Sequence, residues 1–193
     1  MRRALGKPHF HVVGVDDGAF SREDSWAPVA AVAMAVPSRV ESVRLGRVRV
    51  DGDDGATEIA RLVRDTGGLE SLRAVLLDGA VVGGFNVVDL DRLHAELGLP
   101  VVAVTRHAPD FPAIHAALRK WFPRDSEVRW RRLRAHRLFR LPYPELPLLV
   151  AAVGCRRAEA AVLVRRTTVE GHVPEPVRLA HLVASAGGRR ALD

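Results

Sequence analysis

The stretch LRAVLLDGAVVGGFNVVDLDRLHAELGLPVVAVTR, residues 72–106, decides how this chain folds. Leu72–Leu77 is a short apolar run closed by Asp78–Gly79, the pattern of a buried strand with a turn at its end. The Gly-rich segment Gly83–Gly84–Phe85–Asn86 leads to a helix predicted over Asp89–Leu97, with Gly98 as its stop. Leu99–Thr105 is again apolar and β-branched, hence a second buried strand. Strand, helix and strand in this order imply a parallel βαβ crossover, which belongs in a mixed sheet flanked by helices.

Working outward, Phe10–Val15 reads as a strand that delivers Asp16–Asp17–Gly18 at its C-terminal end. Pro28–Val36 and Val40–Val50 follow as two antiparallel, partly exposed strands. Beyond the loop Asp51–Gly55, the residues Ile59, Leu62 and Val63 share one face of a helix over Ala56–Asp65, with Asp54 or Thr57 as its cap. On the other side lies an amphipathic helix over Pro112–Phe122, using Ile114, Leu118, Trp121 and Phe122. A last core strand over Leu146–Val153, a helix over Arg156–Val164 and a C-terminal helix over Pro176–Ala186 complete the pattern. No repeat or long linker divides it, so one α/β domain over residues 1–193 is expected.

Hydrophobic residues make up 48% and charged residues 27%, and mean hydropathy is +0.02, which excludes disordered and fibrous classes. Ala27–Val36 and Leu146–Val153 are too short to span a bilayer. Arg2, Arg3 and Lys7 are followed by His9, Gly14 and Asp16–Asp17 rather than by a signal-peptide core, so the expected compartment is the cytoplasm. The single cysteine, Cys155, supports neither an internal disulfide nor a multi-cysteine zinc site.

A net charge of +6 and a pI near 10.8 suit a polyanionic partner, although a GC-rich genome enriches arginine as well. Seven arginines lie in Arg124–Arg140 and interleave with Trp130 and Phe139. Two readings stand side by side: a nucleic-acid surface in which Arg129, Arg131, Arg132 and Arg134 contact phosphates, or a solvated edge hairpin with its aromatics turned inward.

The chemistry lies in the acids. Asp16 and Asp17, Asp51, and Asp78 each follow an apolar strand directly. Strand ends of open α/β sheets converge on one crevice, where mutually repelling carboxylates make sense around a hard divalent cation such as Mg²⁺ or Mn²⁺. Such an ion activates water and stabilises charge in phosphodiester cleavage. The plainer reading of each site alone is ordinary Asp-Gly turn chemistry. Rival centres are weaker: Cys155 has no identifiable histidine partner, no nucleophile elbow or phosphate loop occurs, and His107, His115 and His172 show no paired ligand spacing.

GVDDGAF (14–20), VDGDDGAT (50–57), LLDGAVVGGFNVVDL (76–90), LPVVAVTRHAPD (99–110) and GHVPEPVRLAHLVA (171–184) resemble the endonuclease dU family across nearly the whole chain. That family is in turn similar to endonuclease V. The resemblance implies a ribonuclease H-like fold, a metal-binding acidic cluster and cleavage of DNA or RNA that contains deaminated bases. It places Asp16 at the catalytic aspartate of the first strand and Asp78 at the aspartate opening the DG motif. The middle acid is Asp51 or Asp54, because this chain carries one more Gly before Ala56–Thr57 than the usual pattern. By the same resemblance Arg106 becomes a stabiliser of phosphate or leaving group, His181 a general acid/base and Arg178 its supporting contact, with helix capping or packing as the plainer role of the last two.

Endonuclease V also carries a Pro-Tyr-x-Pro-Gly wedge before its middle acid. No such string occurs here, and the only tyrosine, Tyr143, lies far away. Metal-dependent cleavage with a different lesion preference is therefore expected, with the Gly83–Asn86 turn and the Asn86 amide as candidates for lining a base pocket. The alternative is a binding module on the same scaffold that does not cut.

Overall fold

Seven strands form one mixed sheet in the computed structural model, which describes residues 9–188; Arg2, Arg3 and Lys7 lie outside these. β1 (His11–Asp17) pairs antiparallel with β2 (Trp26–Ala35) and parallel with β4 (Leu72–Asp78). β3 (Arg39–Arg49) adds an antiparallel edge to β2, and α1 (Gly55–Asp65) follows it. β4 continues into a small hairpin, β5 (Val81–Val82) and β6 (Asn86–Val87), and then into α2 (Leu90–Leu97). β7 (Val101–Thr105) returns parallel to β4, so the predicted crossover is present. Its helix is capped by the Asp89 carboxylate, which accepts from Arg92 N, and is ended by Gly98 at φ 66°.

The remainder is α3 (Phe111–Trp121), α4 (Ser126–Arg134), β8 (Phe139–Arg140), β9 (Leu149–Val153), α5 (Arg157–Thr167) and α6 (Glu175–Gly187). The sheet order is β3-β2-β1-β4-β7-β9-β8. One face packs on α1 and α2 through Ile59, Leu62, Val63 and Leu93. The other packs on α5 and α6 through Leu163, Val164, Val177 and Ala180. Among the described residues no helix is long and apolar enough to cross a membrane.

Several expectations need correction. β2 is buried along nearly its whole length rather than partly exposed, because α6 covers one of its faces and the cluster under α1 the other. Its alanines supply the thin surface that two covering layers require. The segment 124–140 forms no hairpin: most of it is the helix α4, with Trp130 stacked on His115 at 4.4 Å between ring centroids. Trp121 is 63% exposed beside Lys120 and leaves Leu118 as the buried anchor of α3. Asp54 occupies the N-cap position of α1, its carbonyl accepting from Glu58 N but its side chain making no cap hydrogen bond.

Candidate active site

Side chains alternate across a strand, so Gly14, Asp16 and Gly18 share one face of β1 and its end. A Cβ on Gly14 would run into the Pro176 carbonyl, and one on Gly18 into the Ala184 backbone. The absence of both side chains lets α6 lie directly against the sheet, with the carboxylate between the two glycines as the only group it must accommodate. His181 of α6 then sits with Nδ1 3.1 Å from Asp16 Oδ2 and 3.0 Å from the Asp17 carbonyl oxygen. Since a carbonyl only accepts, Nδ1 donates there, and in the neutral ring it is Nε2 that carries the lone pair.

Val15 is level with Leu77 on the parallel neighbour, so Asp16 and Asp78 extend side by side from adjacent strand ends. Arg106, one residue beyond β7, lies 4.0 Å from Asp78 Oδ2. Burial first, then the charges of Asp78 and Asp17, push the Asp16 carboxyl up to about 8. Asp17 and Asp78 are raised as well, each mainly by burial, with His181 opposing both shifts and Arg106 opposing that of Asp78. Three carboxyls that all resist ionisation mark a crevice whose negative charge the protein itself under-compensates.

That donor chemistry fits a hard divalent cation. Among the described residues no group of three or more His, Cys, Asp or Glu encloses a metal position. Mg²⁺, however, is ordinarily held by one or two carboxylates together with water and substrate phosphate. Asp16 and Asp78, at adjacent strand ends, are the residues that could supply such a pair.

The middle acids are engaged elsewhere. Asp51, in left-handed backbone at φ 57°, accepts from Phe85 N at 2.7 Å, and its own N donates to the Gly83 carbonyl. Asp54 accepts from Arg49 N and from Asn86 Nδ2. Asp17 completes the frame, its Oδ2 accepting from Gly83 N at 2.5 Å. Both middle acids thus hold the 83–86 turn, and among the described residues no group of three or more acids that could enclose a metal is formed. Asn86 is fully buried; its Oδ1 accepts from Gly55 N and its Nδ2 donates to the Arg49 carbonyl and to Asp54. The amide expected to face a base is consumed inside the fold.

Beside Asp78 a cavity of about 300 Å³ opens at the ends of β4 and β7, bounded by Gly79, Val81, Phe85, Thr105, His107 and Phe111 among others. The arginines expected to contact phosphate divide. Arg129 is buried and donates to the Gly52 and Phe85 carbonyls and to Asp125, while Arg132 is tied to Asp53. Arg129 therefore fastens α4 onto the 51–55 loop and the 83–86 turn, and Arg132 onto that loop. Arg131 is exposed, and Arg134 lies over Phe111 and Trp130. Arg178 pairs with Glu175 at the start of α6. Burial pushes the Cys155 thiol up to about 11, the direction of an inert structural cysteine. Sequence reasoning missed Asp17 as a loop anchor and the two glycines as the seat of α6. The spacing Gly14-x-Asp16-x-Gly18 was the available signal for the glycines.

The endonuclease dU family matches residues 8–187. The UPF0215 protein of Thermococcus gammatolerans is 43% identical over 185 residues, covering 93% of each chain. A crystal structure of a protein of unknown function from Archaeoglobus fulgidus superposes with a TM-score of 0.82 at 30% identity, covering 92% of this chain and 97% of the other. Endonuclease V of Ciona intestinalis, crystallised with a 24mer DNA containing an inosine, gives a TM-score of 0.63 at 15% identity over 96% and 88% of the two chains. The architecture is therefore the ribonuclease H-like mixed sheet seen in endonuclease V, and the chain belongs to the endonuclease dU family.

Proposed function

We propose that this protein is a metal-dependent endonuclease that hydrolyses phosphodiester bonds in nucleic acid, with DNA carrying deaminated bases such as uracil or inosine as its substrate in the cytoplasm. The observation that carries the reading is the pair of half-buried to buried carboxyls, Asp16 and Asp78, at adjacent parallel strand ends with His181 on one and Arg106 near the other. Asp16 and Asp78 would hold Mg²⁺ or Mn²⁺, an ion that supplies an acidified water and neutralises charge developing on the phosphate. His181, fixed through Nδ1 to the Asp17 carbonyl, accepts or returns a proton at Nε2. Arg106, 61% exposed, is free to meet a phosphate oxygen. The 300 Å³ cavity beside Asp78 offers an extruded base an apolar enclosure.

Labelled uracil-, inosine- and undamaged oligonucleotides, incubated with Mg²⁺, Mn²⁺ or EDTA, test the proposal. Metal-dependent nicking that is lost in Asp78→Asn supports it. Binding without cutting under every metal condition would leave only the binding-module reading.

A further inference from the structure

Trp26 opens β2, four residues before Ala30, which is level with Asp16. At about 3.3 Å per residue it stands roughly 13 Å beyond that carboxylate along the strand. Trp26, Pro28 and Ala30 share a face, and Ala30 packs with Ala180 and Ala184 of α6. The indole therefore lies on the same side of the sheet as His181, beyond the strand end that carries Asp16. Its cross-strand partner is Arg49, and that of Pro28 is Arg47. The Arg47 guanidinium lies 4.6 Å and the Arg49 guanidinium 5.6 Å from the ring centroid. Both arginines are exposed, and neither is paired with a carboxylate among the described residues. A groove of about 570 Å³ runs past the indole, bordered also by Asp54, Glu58 and Arg61. The two acids are committed, Asp54 to the Arg49 amide and Asn86, Glu58 to Arg61. Glu58 is offset by Arg61, Asp54 keeps its charge on the α1 side, and the positive side of the rim is the Arg47–Arg49 edge beside the indole.

A half-buried aromatic framed by two uncompensated guanidiniums, in line with a phosphodiester-cutting crevice, has the chemistry of a stacking platform for single-stranded nucleic acid. We infer that Trp26 stacks an unpaired base of the strand that leads into the Asp16–Asp78 crevice, while Arg47 and Arg49 contact its phosphates. The inference rests on the nuclease reading for the identity of the polymer, yet it concerns binding alone.

The test is equilibrium binding of a single-stranded oligonucleotide in EDTA, so that no cutting intervenes. Trp26→Ala is expected to weaken binding between about fivefold and a hundredfold, with Trp26→Phe retaining most of the affinity. Arg47→Gln and Arg49→Gln should each reduce the slope of log affinity against log salt by about 0.7. In a Trp121→Phe/Trp130→Phe background, the remaining Trp26 fluorescence should be quenched on binding. Unchanged affinity in Trp26→Ala with unquenched Trp26 emission overturns the platform, and if the parent still nicks DNA with metal the nuclease reading survives that result. A parent that neither binds nor cuts nucleic acid overturns both.

Discussion

Asp16→Asn should stabilise the metal-free protein, by an amount that grows with pH. An ordinary aspartate loses its proton near 3.8, whereas the fold lets Asp16 keep it up to about 8. Between those values the folded state binds more protons than the unfolded one, so stability falls as pH rises and the penalty is absent below about pH 4. Each pH unit inside the window is worth about 1.4 kcal/mol. From about pH 4.5 to about pH 7.5, burial and the neighbouring Asp78 and Asp17 charges therefore accumulate roughly 4 kcal/mol against the parent. Asparagine has no proton to lose and nearly the same shape, so the variant escapes this penalty. Urea unfolding of both proteins in EDTA, at matched pH values across the window, isolates the effect, since groups remote from residue 16 cancel in the difference. The gap should widen with pH, and Mn²⁺ should narrow it by raising the midpoint of the parent. A gap independent of pH, or a parent more stable than the variant at the alkaline end, would refute the account of Asp16 as a carboxyl held in an under-compensated crevice.

Other outcomes follow from the contacts. Gly14→Ala drives a methyl into the Pro176 carbonyl and should destabilise the fold by on the order of 3 kcal/mol in urea unfolding, while lowering cleavage through displacement of His181. Asn86→Ala strands the Gly55 amide and removes a donor from the Arg49 carbonyl and from Asp54; it should lose on the order of 3 kcal/mol and reduce cutting of uracil, inosine and normal DNA alike. Arg129→Ala should lower the melting temperature by several degrees, whereas Arg131→Ala should stay within about 0.5 kcal/mol of the parent. His181→Ala should reduce the cleavage rate by about 10² to 10⁴ with DNA binding retained, as measured by single-turnover nicking beside equilibrium binding.

The centre of the sheet was legible because β1 and β4 are short, apolar and closed by Asp-Gly, and the 72–106 segment alone reveals the parallel crossover. The convergence of Asp16 and Asp78 follows from that topology. What stayed hidden depends on partners distant in sequence. Asn86 and Asp54 lie 32 residues apart, and Arg129 lies 77 residues from Gly52, so nothing local distinguishes a buried staple from a ligand-facing amide or guanidinium. The helix at 126–134 was obscured by its dense arginines, which make it polar nearly all round; tertiary ties from Arg129 and Arg132 hold it instead of an apolar stripe. β2 misled for the opposite reason, since a strand of small residues carries no alternation when both faces are covered.

The turn at 83–86 is gripped from two directions. Asp17 takes the Gly83 amide, and Asp51 takes the Phe85 amide while its own amide reaches the Gly83 carbonyl. One wall of the cavity is thereby wired to Asp17, the residue next to Asp16, and altering that wall disturbs the acids with it. The opposite wall, built from side chains such as His107 and Phe111, meets the acids through the exposed Arg106 side chain, 4.0 Å from Asp78, rather than through backbone amides held by carboxylates. Room to reshape the cavity is therefore lopsided: changes that leave Asp16, Asp17 and Asp78 in place have more freedom on the α3 side, and the glycine turn stays the fixed jaw of the pair.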